Sequence, residues 1–150
     1  MANLNKTDIR SLSVDTLKQH FATMGEPAFR AKQVYDWLWS KACLSFEEMS
    51  NLPKSLREKL KEGYSINHIV IDQSQFSSDR TIKNTFRLYD GNIIEGVLIP
   101  ATERMTACVS SQVGCSLSCK FCATGYMERK RNLNADEIFD QVVLIDKQSK

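Results

Sequence analysis

The run Cys115-Ser-Leu-Ser-Cys119-Lys-Phe-Cys122 constrains this chain more than any other stretch. Three thiols at C-x3-C-x2-C spacing, with an aromatic just before the last, can wrap one small inorganic core from a single loop. A 4Fe–4S cube has four irons and ordinarily takes four cysteines, so three clustered ligands leave one iron open. An open metal position is what a catalytic centre needs and a structural one avoids. The C-x2-C-x2-C spacing of bacterial ferredoxins is different, which argues against a simple electron carrier. Three unrelated core cysteines would not crowd into eight residues.

The 150 residues are 42% hydrophobic and 25% charged, ordinary for a folded soluble chain of one domain or two small ones. No apolar run reaches spanning length, and the polar start Met1-Ala-Asn-Leu-Asn-Lys6 has no signal-peptide core. Both features predict a cytoplasmic protein with no membrane partner. There thiols stay reduced, and clustered cysteines read as metal ligands rather than disulfides. The net charge of +2 falls short of a dedicated nucleic-acid binder. Lys54, Arg57, Lys59 and Lys61 alternate with Glu58 and Glu62 and read as a solvated helix face. The triplet Arg129-Lys130-Arg131 admits either a phosphate contact or exposed loop charge.

The texture of the chain divides it in three. Residues 1–63 read as four short helices forming an accessory domain. Ser13 caps a segment with Val14, Leu17, Phe21 and Met24 at helical spacing, and Gly25 ends it. Pro27 opens a second, with Ala31, Val34, Tyr35 and Leu38 on one face. Ser45 and Glu48 make a capping box, and Pro53 to Gly63 holds Leu56 and Leu60 inward. Residues 64–100 turn to β: strands over 66–71, 81–88 and 93–99, with Asp90-Gly91 as a tight hairpin turn. Residues 101–150 supply a buried strand over 105–110, the cysteine loop, and a helix opened by Asn134 and Glu137 with Ile138, Val142 and Ile145 as its apolar stripe. Strand, metal loop and helix form the opening βα unit of a parallel (β/α) barrel, whose chemistry sits on the loop after the strand. A full barrel takes about 250 residues, so the expectation is the N-terminal part of a longer enzyme.

The stretch from Cys108-Val-Ser-Ser-Gln-Val-Gly through Cys122-Ala-Thr-Gly, followed by Arg131-Asn-Leu, resembles the radical S-adenosylmethionine (SAM) RNA adenine methyltransferases. Phe29-Arg-Ala-Lys-Gln and the segment from Asp90-Gly91 through Ile94-Glu95-Gly-Val-Leu-Ile-Pro100 are also similar to that family. The resemblance implies an α/β fold: a small helical domain and a β-hairpin ahead of a radical SAM partial barrel. It implies methylation of C2 of an adenine in 23S rRNA and in tRNA. C2 lies between two ring nitrogens and is electron-poor, so a radical route replaces nucleophilic attack on SAM.

In the family, three cysteines matching Cys115, Cys119 and Cys122 hold the 4Fe–4S cluster. The cluster takes an electron from a reductant and cleaves SAM to a 5′-deoxyadenosyl radical. A second SAM methylates a C-terminal cysteine that has no counterpart here, and a covalent protein–RNA adduct follows. Cys108 matches the thiol that resolves this adduct through a disulfide; without the resemblance it reads as a strand core cysteine. Glu95 matches the proton acceptor at the methylated carbon, a role that expects burial to raise its basicity; its plain reading is a solvent-facing strand residue.

Two rival readings remain. A sister group methylates C8 of the same adenine and confers antibiotic resistance. A non-enzymatic RNA-binding module would use Cys108 and the three loop thiols as a four-thiolate zinc site. Gly25-Glu26-Pro27 imitates a SAM-contacting element but precedes the cluster, and is read as a helix junction. Cys43, His20 and His68 read as packing or solvent-facing residues, and Trp37 and Trp39 as hydrophobic anchors on different helix faces.

Overall fold

The structure is a computed structural model that describes residues 6–149; the polar start at residues 1–5 lies outside them. The described residues form two compact units, divided between Asn67 and His68.

The first unit is a helical module clipped by two short strands. β1 (Thr7–Asp8) runs parallel to β2 (Tyr64–Ser65), bringing the two ends of the module together. Between them lie α1 (Val14–Thr23), α2 (Ala28–Trp39) and α3 (Lys54–Gly63). The Ser13 hydroxyl accepts from the Thr16 N–H at 3.1 Å, satisfying one of the free donors at the start of α1. Gly25, at φ +73°, reverses the chain after α1 in the left-handed region that suits glycine. Ile9, Leu17, Phe21, Ala31, Val34, Leu38, Met49, Leu56 and Leu60 form the core, all essentially without solvent contact. Trp37 and Trp39 pack partly buried against it, as expected of anchors.

One of the four expected helices is a single 3-10 turn, Phe46–Glu48. Its capping box is present, with Glu48 Oε1 accepting from the Ser45 N–H at 2.9 Å. The turn ends at Met49, whose backbone (φ −72°, ψ 66°) has left helical geometry.

The second unit is built on an antiparallel sheet of β3 (Val70–Phe76), β4 (Ile82–Arg87), β5 (Ile93–Pro100) and β6 (Met105–Cys108), in that order. Asp90-Gly91 makes the β4–β5 turn, with Gly91 at φ +83° and Asp90 Oδ1 accepting from the Asn92 N–H at 3.1 Å. A second, two-stranded ladder joins β7 (Gln112–Val113) to β8 (Arg131–Asn132), and α4 (Ala135–Gln148) follows. The fold is mixed α/β, with helices ahead of a sheet and a strand–loop–helix order at residues 105–148.

Three expectations are corrected. The first strand lies at Val70–Phe76 rather than 66–71, because pairing with β4 outweighs the β-branched composition of the earlier segment. The strand expected to be buried over 105–110 is β6, exposed along its length, because it is the sheet's edge and pairs only with β5 among the described strands. On α4 the apolar stripe is partial: Ile145 is buried and Ile138 packs, but Val142 is exposed. The buried face carries Asp136, Glu137, Asp140 and Gln141 instead.

Alternation along β5 sorts its side chains. Ile94, Gly96 and Leu98 face the core with Phe86 of β4, while Glu95 and Ile99 face outward. Gly96 is the point of closest approach. A Cβ there would lie 2.8 Å from the Phe86 ring, 3.2 Å from the Cys108 carbonyl and 3.3 Å from Ile145 Cδ1. Gly96→Ala therefore overpacks the joint between β5, β6 and α4 and should lower stability by about 1–3 kcal/mol in chemical denaturation. A neutral effect would show that α4 can shift away at no cost.

Candidate metal-cluster site

The cysteine loop leaves and re-enters the fold through the β7–β8 ladder. Lys130 N–H donates to the Val113 carbonyl at 2.9 Å, Leu133 N–H to Ser111 at 2.9 Å, and Cys115 N–H to Met127 at 3.2 Å. Inside, the chain coils tightly: Cys122 N–H donates to the Cys119 carbonyl at 3.2 Å and Gly125 N–H to Cys122 at 2.9 Å. Two glycines permit this. A Cβ on Gly114 (φ +73°) would fall 2.1 Å from the Glu128 carbonyl oxygen, and one on Gly125 would fall 2.5 Å from that of Cys119. Tyr126 closes the coil by donating its hydroxyl to the Lys120 carbonyl at 2.7 Å.

Cys115, Cys119 and Cys122 are half-buried free thiols on this loop. The N–H groups of Gly125 and then Thr124 hold the Cys122 thiol below its ordinary range, against a weak opposing effect of desolvation. Among the described residues, no three His, Cys, Asp or Glu side chains gather closely enough to grip a metal ion. The donor set nevertheless suits an iron–sulfur cluster: three unpaired soft ligands on one short coil, one already drawn toward thiolate by backbone donors. An open hollow of about 430 Å³ lies against this coil, lined by Cys115, Ser118, Tyr126 and Arg129 among others.

Glu95 and Cys108 come together through the sheet. Cys108 pairs with Val97, and Glu95 lies two residues along the same strand, so both side chains belong to one outer face. Glu95 is half-exposed there and its carboxylate meets Lys83 Nζ at 2.8 Å, with Thr85 directly opposite. The burial expected of a proton acceptor is not supplied by the described residues, because the outer face of β5 carries no covering element among them. Cys108 is exposed rather than buried.

Sequence reasoning missed two supports of the site. Gln141 of α4 grips both backbone groups of Ser110: Ser110 N–H donates to its Oε1 at 2.8 Å, and its Nε2 donates to the Ser110 carbonyl at 3.0 Å. The Ser110 hydroxyl in turn donates to the Glu95 carbonyl at 2.7 Å. Arg131 spans Asp90 and Glu137, each at 2.7 Å. Only the Asn134–Glu137 capping box was a visible signal; the same Glu137 accepts the Asn134 N–H at 2.8 Å.

The discounted residues behave as structural ones. Gly25-Glu26-Pro27 joins α1 to α2, and His20 Nδ1 lies 2.6 Å from the Tyr64 hydroxyl. His68 is exposed. Lys54, Lys59 and Lys61 pair with Glu58, Glu26 and Glu47, as a solvated helix face does. In the basic triplet, Arg129 donates to Gln112 and Asn132, and Lys130 donates to Asn92 at 2.9 Å.

Residues 7–66 match the family described as the ribosomal RNA large subunit methyltransferase N-terminal domain. Over 142 residues the chain is 61% identical to the "Probable dual-specificity RNA methyltransferase RlmN" of Cytophaga hutchinsonii, covering 95% of this chain and 39% of that protein. It is 56% identical over 147 residues to the protein of the same name from Flavobacterium psychrophilum, covering 98% and 42% respectively. Over nearly its whole length the chain is similar to these proteins. It spans about two fifths of the length of these curated relatives. The crystal structure of a radical SAM methyltransferase from Sphaerobacter thermophilus superposes at a TM-score of 0.80 with 36% identity, over 95% of this chain and 42% of that one. Among the described residues, no helix is long and apolar enough to cross a membrane.

Two cysteines should separate by acidity. Cys43 is buried, and desolvation, then the nearby Glu48 carboxylate, push its thiol up to about 11. In metal-free protein, the alkylation rate of Cys122 should rise with pH through a midpoint below the ordinary 9.0, and that of Cys43 through one near 11. Mass spectrometry of the alkylated peptides reads both. Equal midpoints would contradict the backbone donors at Cys122.

Proposed function

We propose that this chain is the front part of a radical SAM methyltransferase that methylates C2 of an adenine in 23S rRNA and tRNA. The observation that carries the reading is the coil bearing Cys115, Cys119 and Cys122, rooted two short steps beyond a strand that aligns Cys108 and Glu95 on one face. The similarity over nearly the whole chain to proteins named dual-specificity RNA methyltransferases supports it. Residues 1–63 serve as a helical accessory domain, 64–100 as the hairpin region and 101–150 as the start of the radical SAM core. The work is cytoplasmic and needs a reductant.

In this reading Cys115, Cys119 and Cys122 hold a 4Fe–4S cluster, which when bound supplies one open iron for SAM and the electron that cleaves it. Glu95 accepts the proton lost from the methylated carbon. Its carboxylate meets Lys83 Nζ at 2.8 Å and stands half-exposed on the outer face of β5, open to the approach of a base. Cys108, an exposed free thiol on the same face, acts as the resolving nucleophile. RNA substrates suit the arrangement, since an enzyme acting on a base must extract it from its stack and bring it to a concave, protein-lined site.

Two experiments test this on full-length protein reconstituted without oxygen. Cys119→Ala should lose the brown colour and nearly all bound iron, because three ligands from one coil leave no spare. Normal iron content in that variant sinks the cluster assignment. Cys108→Ala should keep iron and SAM binding yet accumulate protein covalently joined to RNA, seen as a slow band on a denaturing gel that ribonuclease collapses. Weakened metal binding with no such band would favour the four-thiolate zinc module instead.

A further inference from the structure

We infer that Arg131 is a positioning residue that latches the root of the cysteine loop, clasping Asp90 from the β4–β5 turn and Glu137 from the first turn of α4. The consequence for the cluster rests on the proposed function, while the latch itself rests on geometry alone. Arg131 Nε and Nη2 donate to Asp90 Oδ2 at 2.9 and 2.7 Å. Nη1 and Nη2 donate to Glu137 Oε2 and Oε1 at 2.8 and 2.7 Å, and Nη1 also reaches the Asn132 carbonyl at 3.1 Å. All the N–H donors of the planar fork are thereby used, an arrangement a lysine cannot reproduce.

Three segments depend on this one side chain. Glu137 is almost fully buried, so its charge needs the guanidinium beside it. Asp90 belongs to the hairpin whose second strand carries Glu95. Arg131 itself sits in β8, opposite Val113 of β7. A ladder of two residues per strand is too short to hold its own register. The fork supplies what that ladder lacks. It fixes where the chain enters at Gly114 and returns at Lys130, and so fixes the three thiols relative to the sheet.

The test uses full-length protein with Arg131→Lys, Arg131→Gln and Asp90→Asn. Asp90→Asn keeps the Glu137 pair and guards against loss of folding. In metal-free protein, hydrogen exchange at residues 113–130 should accelerate about tenfold in both Arg131 variants and less in Asp90→Asn, with α1–α3 and β3–β4 unchanged. After reconstitution, iron should pass to a chelator about tenfold faster, with Arg131→Lys giving no rescue. Unchanged exchange at 113–130, or acceleration spread evenly over the sheet, overturns the latch. So does full rescue by lysine. If the unmodified protein takes up no iron, the cluster reading fails, and the exchange data alone still decide the latch.

Discussion

Polar side chains on the buried face of α4 tie the second unit together, each matched to a specific partner on another segment. Glu137 meets Arg131, Asp140 accepts the Ile69 N–H at 3.2 Å, and Gln141 satisfies both backbone groups of Ser110. An apolar stripe would contribute more transfer energy, but it cannot terminate a strand or neutralise a buried charge. Ser110 is where β6 has ended and the chain heads for the cysteine loop, so its backbone has lost its ladder partner. Gln141 replaces that partner. A helix that supplies hydrogen bonds where a sheet runs out fixes direction as well as energy, and the loop inherits that direction.

The same packing determines which side chains the sheet offers outward. Gly96 lets Phe86 and Ile145 close on the inner face, and its neighbours Glu95 and Val97 point the other way by the pleat. Pairing of Val97 with Cys108 then brings the carboxylate and the thiol to one face. A slip of one residue in that pairing would send Cys108 to the opposite face. The Ser110 hydroxyl bond to the Glu95 carbonyl ties the register just beyond the last paired residue.

Much of this was legible in the sequence where the signal is local. The Ser13 cap, the Ser45–Glu48 and Asn134–Glu137 boxes, the Asp90-Gly91 turn and the prolines opening helices all act within a few residues, and the structure forms them where expected. Elements decided by distant partners were misread. β3 lies later than its composition suggested because β4 selects it, and the third expected helix ends after one turn, where Met49 leaves helical geometry. The helical period of Ile138, Val142 and Ile145 was real, but α4 is rotated by the needs of Ser110, Arg131 and Ile69, leaving Val142 in solvent. No periodicity analysis counts buried Glu or Gln as inward-facing, so that rotation was invisible. The cysteine loop itself was the most legible feature, since spacing alone carries it; its root and its latch were not, since their partners lie up to 41 residues away.

Cysteine chemistry in this chain is sorted by surroundings rather than by residue type. Cys43, in the helical core beside Glu48, is pushed toward the inert thiol by lost hydration and a like charge. Cys122, at the start of a tight coil, is pulled toward thiolate by N–H groups that the coil itself aims at it. A Cβ at Gly125 would fall 2.5 Å from the Cys119 carbonyl oxygen, so the coil closes this tightly only with glycine there. Replacing Gly125 would therefore open the coil whose amides face the Cys122 thiol. Gly125 belongs to the chemistry of the loop for that reason, while the residues that root the loop set where it leaves and rejoins the fold.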